Sequence, residues 1–230
     1  MSDKPFSVMI FAAGFGTRMG ALTREMPKPM VPVCGEPMVN HTLDLAKAAG
    51  TGPIVANLHY KPDALQDHLQ SRGGLCVMET PDILDTGGGL RNALPQLGTD
   101  PVITMNADAF WSGPNPLPQL MQAWQPDKMD ALLMCVPRAR AIGRTGPDDF
   151  DIDDAGRLTR GSGLVYGGGQ IIKTDLLADM KPGAFSLNLL WDVMLGEGRL
   201  FGTVYPGTWC DVGHPEGITL AEEMLGCADV

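Results

Sequence analysis

No apolar run among the 230 residues is long enough to span a bilayer, and the N-terminus carries no signal-type segment. A cytoplasmic enzyme with no membrane partner is therefore expected. Positive charge is scarce. Seventeen Lys and Arg stand against 27 Asp and Glu, a formal net charge of -10, which argues against nucleic acid as a partner. A small anionic substrate stays open, because a few local cations outweigh the global field at short range. Cysteine pairing motifs are missing as well. Cys34, Cys76, Cys135, Cys210 and Cys227 are odd in number and widely spaced, with no Cys-x-x-Cys. Neither a disulfide framework nor a zinc cluster is indicated, and reduced, mostly buried thiols are expected. Internal repeats and low-complexity tracts are absent too. The length suits one α/β domain with a substantial core, taken as residues 1–230. Nothing in the sequence separates a monomer from a small homo-oligomer.

What is present begins with residues 6–29. Phe6 to Phe11 is a short apolar run that reads as a buried parallel strand. Gly14, Gly16, Thr17 and Arg18 follow, and Lys28 stands between Pro27 and Pro29. Glycines let backbone N–H groups turn inward around phosphate oxygens. Arg18 offers a planar fork of donors and Lys28 a compact charge, with two prolines limiting the backbone around it. The residues alone leave two readings open, a phosphate loop or a plain turn. The stretch is not Gly-x-Gly-x-x-Gly, since position 19 is Met19, and no Gly-Lys-Ser/Thr makes it a Walker loop.

The chain then alternates. A helix is expected from Pro37 to Ala49, ended by Gly50, and strands at 53–58 and 75–79 flank a helix that starts at Pro62. This is a parallel crossover series whose post-strand loops should converge on one edge. Gly87-Gly88-Gly89 marks either a close approach to something flat or crowded or a tight turn, with a helix beginning near Leu90. The apolar strand 101–106 runs into Asp108, which reads as a turn cap or as a metal ligand at a strand end. Residues 111–118 read as a loop and 138–149 as an exposed, solvated connection that includes Asp148 and Asp149. A hairpin around Asp153-Asp154-Ala155-Gly156 forms a small antiparallel insertion at 148–162. Trp124 is assigned to the core, and Trp191 to the core or an interface. Late in the chain, a strand at 199–205 is broken by the stretch 207–215, which includes Trp209-Cys210-Asp211-Val212-Gly213, and a helix starts near Pro215.

Ala12-Ala13-Gly14-Phe15-Gly16-Thr17-Arg18-Met19, then Thr23, then Pro27-Lys28-Pro29-Met30-Val31-Pro32-Val33 resemble the signature of the sugar-1-phosphate nucleotidyltransferases, and the likeness covers nearly the whole chain. The resemblance implies a Rossmann-like three-layer α/β nucleotidyltransferase fold with a mostly parallel mixed sheet. It implies a catalytic set of Arg18, Lys28, Asp108 and Asp211, with Asp108 and Asp211 holding magnesium (Mg2+). It places the nucleotide on Ala12, Ala13, Gly14, Gly16, Thr17, Arg18, Gly87 and Gly88, and the sugar on Glu79, Asn106, Gly163 and Asn188. The Asp-Thr-Gly-Gly-Gly form at 85–89 is nearest to muramate-type members. That implies UTP and N-acetylmuramate-1-phosphate as substrates, with release of pyrophosphate, in peptidoglycan sugar recycling. Guanylyl-, cytidylyl- and thymidylyl-transferring relatives stay open, as does a non-catalytic nucleotide-sugar binding protein. The chain departs from the family at Phe185-Ser186-Leu187, where many members carry a second phosphate-binding lysine, and at Phe15, where a basic or small residue is common.

Overall fold

The computed structural model describes residues 5–98 and 100–227, so residues 1–4, 99 and 228–230 of the expected 1–230 span lie outside the description. In chain order the elements are β1 (Val8–Phe11), β2 (Pro32–Val33), β3 (Glu36–Pro37), α1 (Met38–Ala48), β4 (Ile54–Leu58), α2 (Pro62–Ser71), β5 (Leu75–Met78), α3 (Asp85–Leu97), β6 (Val102–Asn106), β7 (Ala109–Ser112), α4 (Pro116–Ala123), β8 (Ala131–Pro137), β9 (Ala141–Ile142), β10 (Phe150–Ile152), β11 (Leu158–Arg160), β12 (Leu164–Ile172), α5 (Asn188–Gly196), β13 (Leu200–Val204), β14 (Thr208–Asp211) and α6 (Pro215–Leu225).

The helices form where the apolar period says they should. Val39, Leu43 and Ala46 recur on one side of α1 and are fully buried, and Gly50 (φ +68°) follows the helix. In α2, Pro62 takes the first position and Leu65 and Leu69 form the buried stripe. Strand alternation then sorts the core into two layers. Val8 and Ile10 of β1 face α1, α2 and α4, whereas Met9 faces α3 and α5. Truncating a core residue such as Leu43 to Ala would cost about 2–5 kcal/mol.

The main sheet runs β11-β10-β12-β6-β1-β4-β5, with β8 beside β12 and β13 beside β8. Pairs β1–β4, β1–β6, β4–β5 and β8–β13 are parallel, but β12 runs antiparallel to both β6 and β8, and β10–β11 is the expected hairpin. The sheet is therefore mixed, not mostly parallel. Chain order moves outward from β1 to β4 and β5, then returns through α3 to β6 on the other side of β1. The order reverses at β1, and the loops after β1 and β6 meet at that switch point. A small second sheet, β7-β14-β9, stands beside the first, backed by α6.

Four expectations change. The helix near Leu90 begins earlier, at Asp85, and takes in all three glycines. The expected loop 111–118 is shortened at both ends, by β7, which pairs with β14 and runs through Ser112, and by α4, which starts at Pro116. The connection 138–149 contains β9 and is folded onto the second sheet. Finally, Cys34 and Cys227 form a disulfide across a separation of 193 residues. It forms because α6 packs against the β2–β3 hairpin, where Glu222 Oε1 accepts the Cys34 N–H at 3.0 Å. Cys135 and Cys210 are the buried thiols that were expected, each pushed up to about 12 by burial.

Asp130 clamps three adjacent strands at one end. It precedes β8 and binds Arg199, just before β13, at 2.5 and 2.8 Å, and Lys173, just after β12, at 2.8 Å. The Arg199 hydrogen bond chiefly, with help from Lys173 and against burial, holds its carboxyl below the ordinary value of 3.8. Its stabilisation is complete above the ordinary carboxylate pKa and is lost as pH falls through the depressed one. Asp130→Asn should thus lower the melting temperature at neutral pH, with the deficit shrinking below about pH 4. Thermal melts across that range check it.

Candidate active site

The cleft opens at the switch point, and Phe11 and Asp108 line it throughout. Its floor is a buried hydrogen-bond chain. Asn57, near the end of β4, accepts the Ala12 N–H at 2.8 Å and donates to Glu79 Oε1 at 2.7 Å, while Glu79 Oε2 accepts the Leu84 N–H at 2.7 Å. Three loops are fixed to one another this way. Glu79, expected at the sugar, is fully buried with both oxygens occupied. Its carboxylate positions Asn57 and the turn into α3 and does not face the cleft.

The loop after β1 turns at Gly16 (φ +64°). A Cβ on Gly16 would lie 2.8 Å from Lys28 Cβ, so this glycine admits the Lys28 stem. The Gly14, Phe15 and Gly16 N–H groups have no partner among the described residues and stay available for an anion. Thr23 Oγ1 donates back to Gly16 O at 3.0 Å and holds the turn. Arg18 is exposed and unpaired among the described residues. Its guanidinium lies over Gly213, where a Cβ would stand 3.2–3.5 Å from it.

Lys28 Nζ contacts Asp108 Oδ2 at 2.6 Å. Asp108 sits between β6 and β7, and the β7–β14 ladder brings Asp211 alongside. Asp211 is opposite Ala109, and the Val212 N–H donates to Asp108 O at 3.1 Å. Residues 103 apart in sequence (211 minus 108) thus share one end of a two-strand ladder. Burial, then the charge of Asp108, raises the Asp211 carboxyl above its ordinary value, against the pull of Lys28, Arg18 and Arg144. The two carboxylates, one already drawing in an ammonium, are a fitting donor pair for a divalent cation completed by substrate oxygens. No group of three or more His, Cys, Asp or Glu that could hold a metal occurs among the described residues.

Of the residues assigned to the sugar, Asn106 and Asn188 line the cleft. Gly168 (φ +81°) leaves the space that Asn106 fills, since its Cβ would fall 2.8 Å from Asn106 Nδ2. Gly163 lies outside, against Asp151. Gly87 and Gly88 are crowded by the 183–185 segment. Their Cβ atoms would strike the Phe185 ring at 2.3 Å and Gly183 O at 2.4 Å, and both N–H groups donate to Phe185 O. The flat, crowded neighbour expected of the triple glycine is Phe185. At this end the cleft is lined instead by Asp85 and Thr86, at the start of α3. Sequence reasoning assigned no site role to these two, nor to Asn57, Arg144, Asp149 and Tyr166. A positive φ of 58° at the non-glycine Asp85 is the backbone sign of a special turn, invisible in the letters.

A glycine loop with open backbone N–H groups, the exposed Arg18, the Lys28–Asp108 pair and an adjoining Asp211 at the switch point of an α/β sheet suit a nucleotide-transferring enzyme. Comparison with known proteins agrees. The MobA-like NTP transferase domain matches residues 8–189. An N-acetylmuramate alpha-1-phosphate uridylyltransferase of Caulobacter vibrioides is 36% identical over 98% of this chain and 99% of its own. One from Neisseria meningitidis serogroup B is 31% identical over 95% and 97%. The inositol-1-phosphate CTP transferase of T. maritima shares the fold, with a TM-score of 0.80 at 14% identity, over 100% of this chain and 98% of that one. The chain belongs to the MobA-like NTP transferase family and is a sugar-1-phosphate nucleotidyltransferase.

Without divalent cation, Asp211→Asn should raise the melting temperature at neutral pH, because it removes a buried charge that faces Asp108. The gain should vanish as pH falls through the raised Asp211 pKa, where the native carboxyl is itself protonated. Melts of both proteins in chelator over about pH 4 to 8 measure it.

Proposed function

We propose that this enzyme joins UTP to N-acetylmuramate-1-phosphate and releases pyrophosphate, a step of peptidoglycan sugar recycling. The observation that carries this reading is end-to-end similarity to the two uridylyltransferases. The mannose-1-phosphate guanylyltransferases of rice and Mycobacterium tuberculosis are 27% and 26% identical, and the match spans only 61% and 63% of their length.

In this reading an oxygen of the sugar phosphate attacks the α-phosphorus of the triphosphate. One P–O bond forms there as the bond to the β-phosphate oxygen breaks, and that oxygen leaves with pyrophosphate. The attacking phosphate is already ionised near neutral pH, so no general base is needed, and alignment with charge neutralisation carries the rate. Arg18 and the free N–H groups of the loop after β1 hold the β- and γ-phosphates. Lys28 neutralises charge at the α-phosphate while Asp108 keeps its ammonium in place. Asp108 and Asp211 would hold Mg2+, which supplies charge stabilisation and orientation at the phosphates. Asn106 and Asn188 face the sugar.

A panel of nucleoside triphosphates against several sugar-1-phosphates, read by pyrophosphate release, tests the assignment. UTP with N-acetylmuramate-1-phosphate should give the highest kcat/KM, and a guanosine or thymidine preference would displace it. In the same assay Lys28→Ala should lower kcat about a hundred-fold or more, the usual loss for one transition-state contact.

A further inference from the structure

The cleft, about 340 Å³ at its sugar end, contains a cation that the scheme above does not use. Arg144 lies in the connection between β9 and β10, with Tyr166, Asn188 and Asp211 around the same space. It is held from one side only. Its Nη2 donates to both oxygens of Asp149 at 3.2 Å and to Pro147 O at 3.0 Å. Asp149 is itself fixed by the Tyr166 N–H at 2.9 Å. Gly146 lies against the guanidinium, where a Cβ would come within 3.5 Å of Cζ. From outside, Arg138 ties down the same loop by donating to Gly146 O at 2.8 Å and Arg144 O at 3.0 Å.

That bracing leaves donors unused. Arg144 Nε is buried with no hydrogen-bond partner, and Nη1 has none among the described residues. A guanidinium fixed in place, mostly buried and short of acceptors is built to receive an oxyanion. Of the other cleft cations, Lys28 is paired with Asp108, and Arg18 is exposed over Gly213 and assigned above to the β- and γ-phosphates. Arg144 is also near enough to the reacting centre for its charge to be felt at Asp211.

We propose that Arg144 binds an oxyanion of the sugar substrate. This rests on the reading of the acceptor as a sugar-1-phosphate and deepens it. Two groups share that chemistry, the 1-phosphate and a carboxylate substituent on the sugar. Asp149 and Gly146 are then positioning residues that hold the fork in the cleft.

Steady-state kinetics of wild type, Arg144→Ala and Arg144→Lys with N-acetylmuramate-1-phosphate and with N-acetylglucosamine-1-phosphate, which lacks the carboxylate, decide it. Arg144→Ala should raise the KM for the sugar phosphate about tenfold or more and leave the KM for UTP unchanged. A rise with both sugars assigns the anion to the 1-phosphate, and a rise confined to the muramate assigns it to the carboxylate. Lysine retains the charge and should recover part of the loss. An unchanged sugar KM, a rise confined to UTP, or a lysine variant no better than alanine would overturn the assignment and leave the substrate reading intact. Wild-type turnover of neither sugar would remove the substrate reading and the assignment together.

Discussion

Two negative charges forced into proximity are the constraint on which the site is built. Asp108 and Asp211 approach because β7 and β14 pair backbone to backbone, not because their side chains attract. The ladder hydrogen bonds, the packing of Phe110, Cys210 and Val212 against α6, and the Val212–Asp108 backbone bond hold the pair against mutual repulsion. Burial first, and the charge of Asp108 second, raise the Asp211 carboxyl above its ordinary value. In the function proposed above, cationic charge and the triphosphate offset the cost of this arrangement when they bind. This is electrostatic preorganisation, with the fold doing the reorganising in advance.

The same logic explains why glycine recurs where the chain passes near a long or polar side chain of the cleft. Gly16 gives room to the Lys28 stem, Gly213 to the Arg18 plane, Gly146 to Arg144 and Gly168 to Asn106. In each case the backbone is the wall of a slot, and the slot fixes a long or polar side chain that would otherwise sample many rotamers. The buried Glu79–Asn57–Ala12 chain does for the loops what these slots do for the side chains.

Much of this was legible in the letters, for identifiable reasons. The crossover helices announced themselves through Leu43 and Leu65 periodicities, and the turn after β1 through glycines following an apolar run, with its phosphate reading carried by the family resemblance. Asp108 carried its position at a strand end, whereas Asp211 stood in a stretch read as breaking a strand and was singled out by the family resemblance alone; the structure makes that stretch β14, Thr208–Asp211. What was hidden depended on partners distant in sequence. Glu79 looked like a ligand group until Asn57 and Leu84 occupied both its oxygens. Arg144 and Asp149 looked solvated because the stretch around them is polar and rich in glycine and proline, yet pairing of β9 with β14 turns that stretch toward the cleft. The antiparallel setting of β12 has no periodicity signal of its own, because a strand buried on both faces reads alike in either direction.

The link between Cys34 and Cys227 makes almost the entire polypeptide a closed ring, so the denatured chain can no longer spread as a linear one. By the chain-entropy relation a ring of this circumference loses conformational freedom worth about 5 kcal/mol at 25 °C. The tether joins the segment after α6 to the hairpin that follows Lys28, so thiol reduction would release that segment from the hairpin next to Lys28.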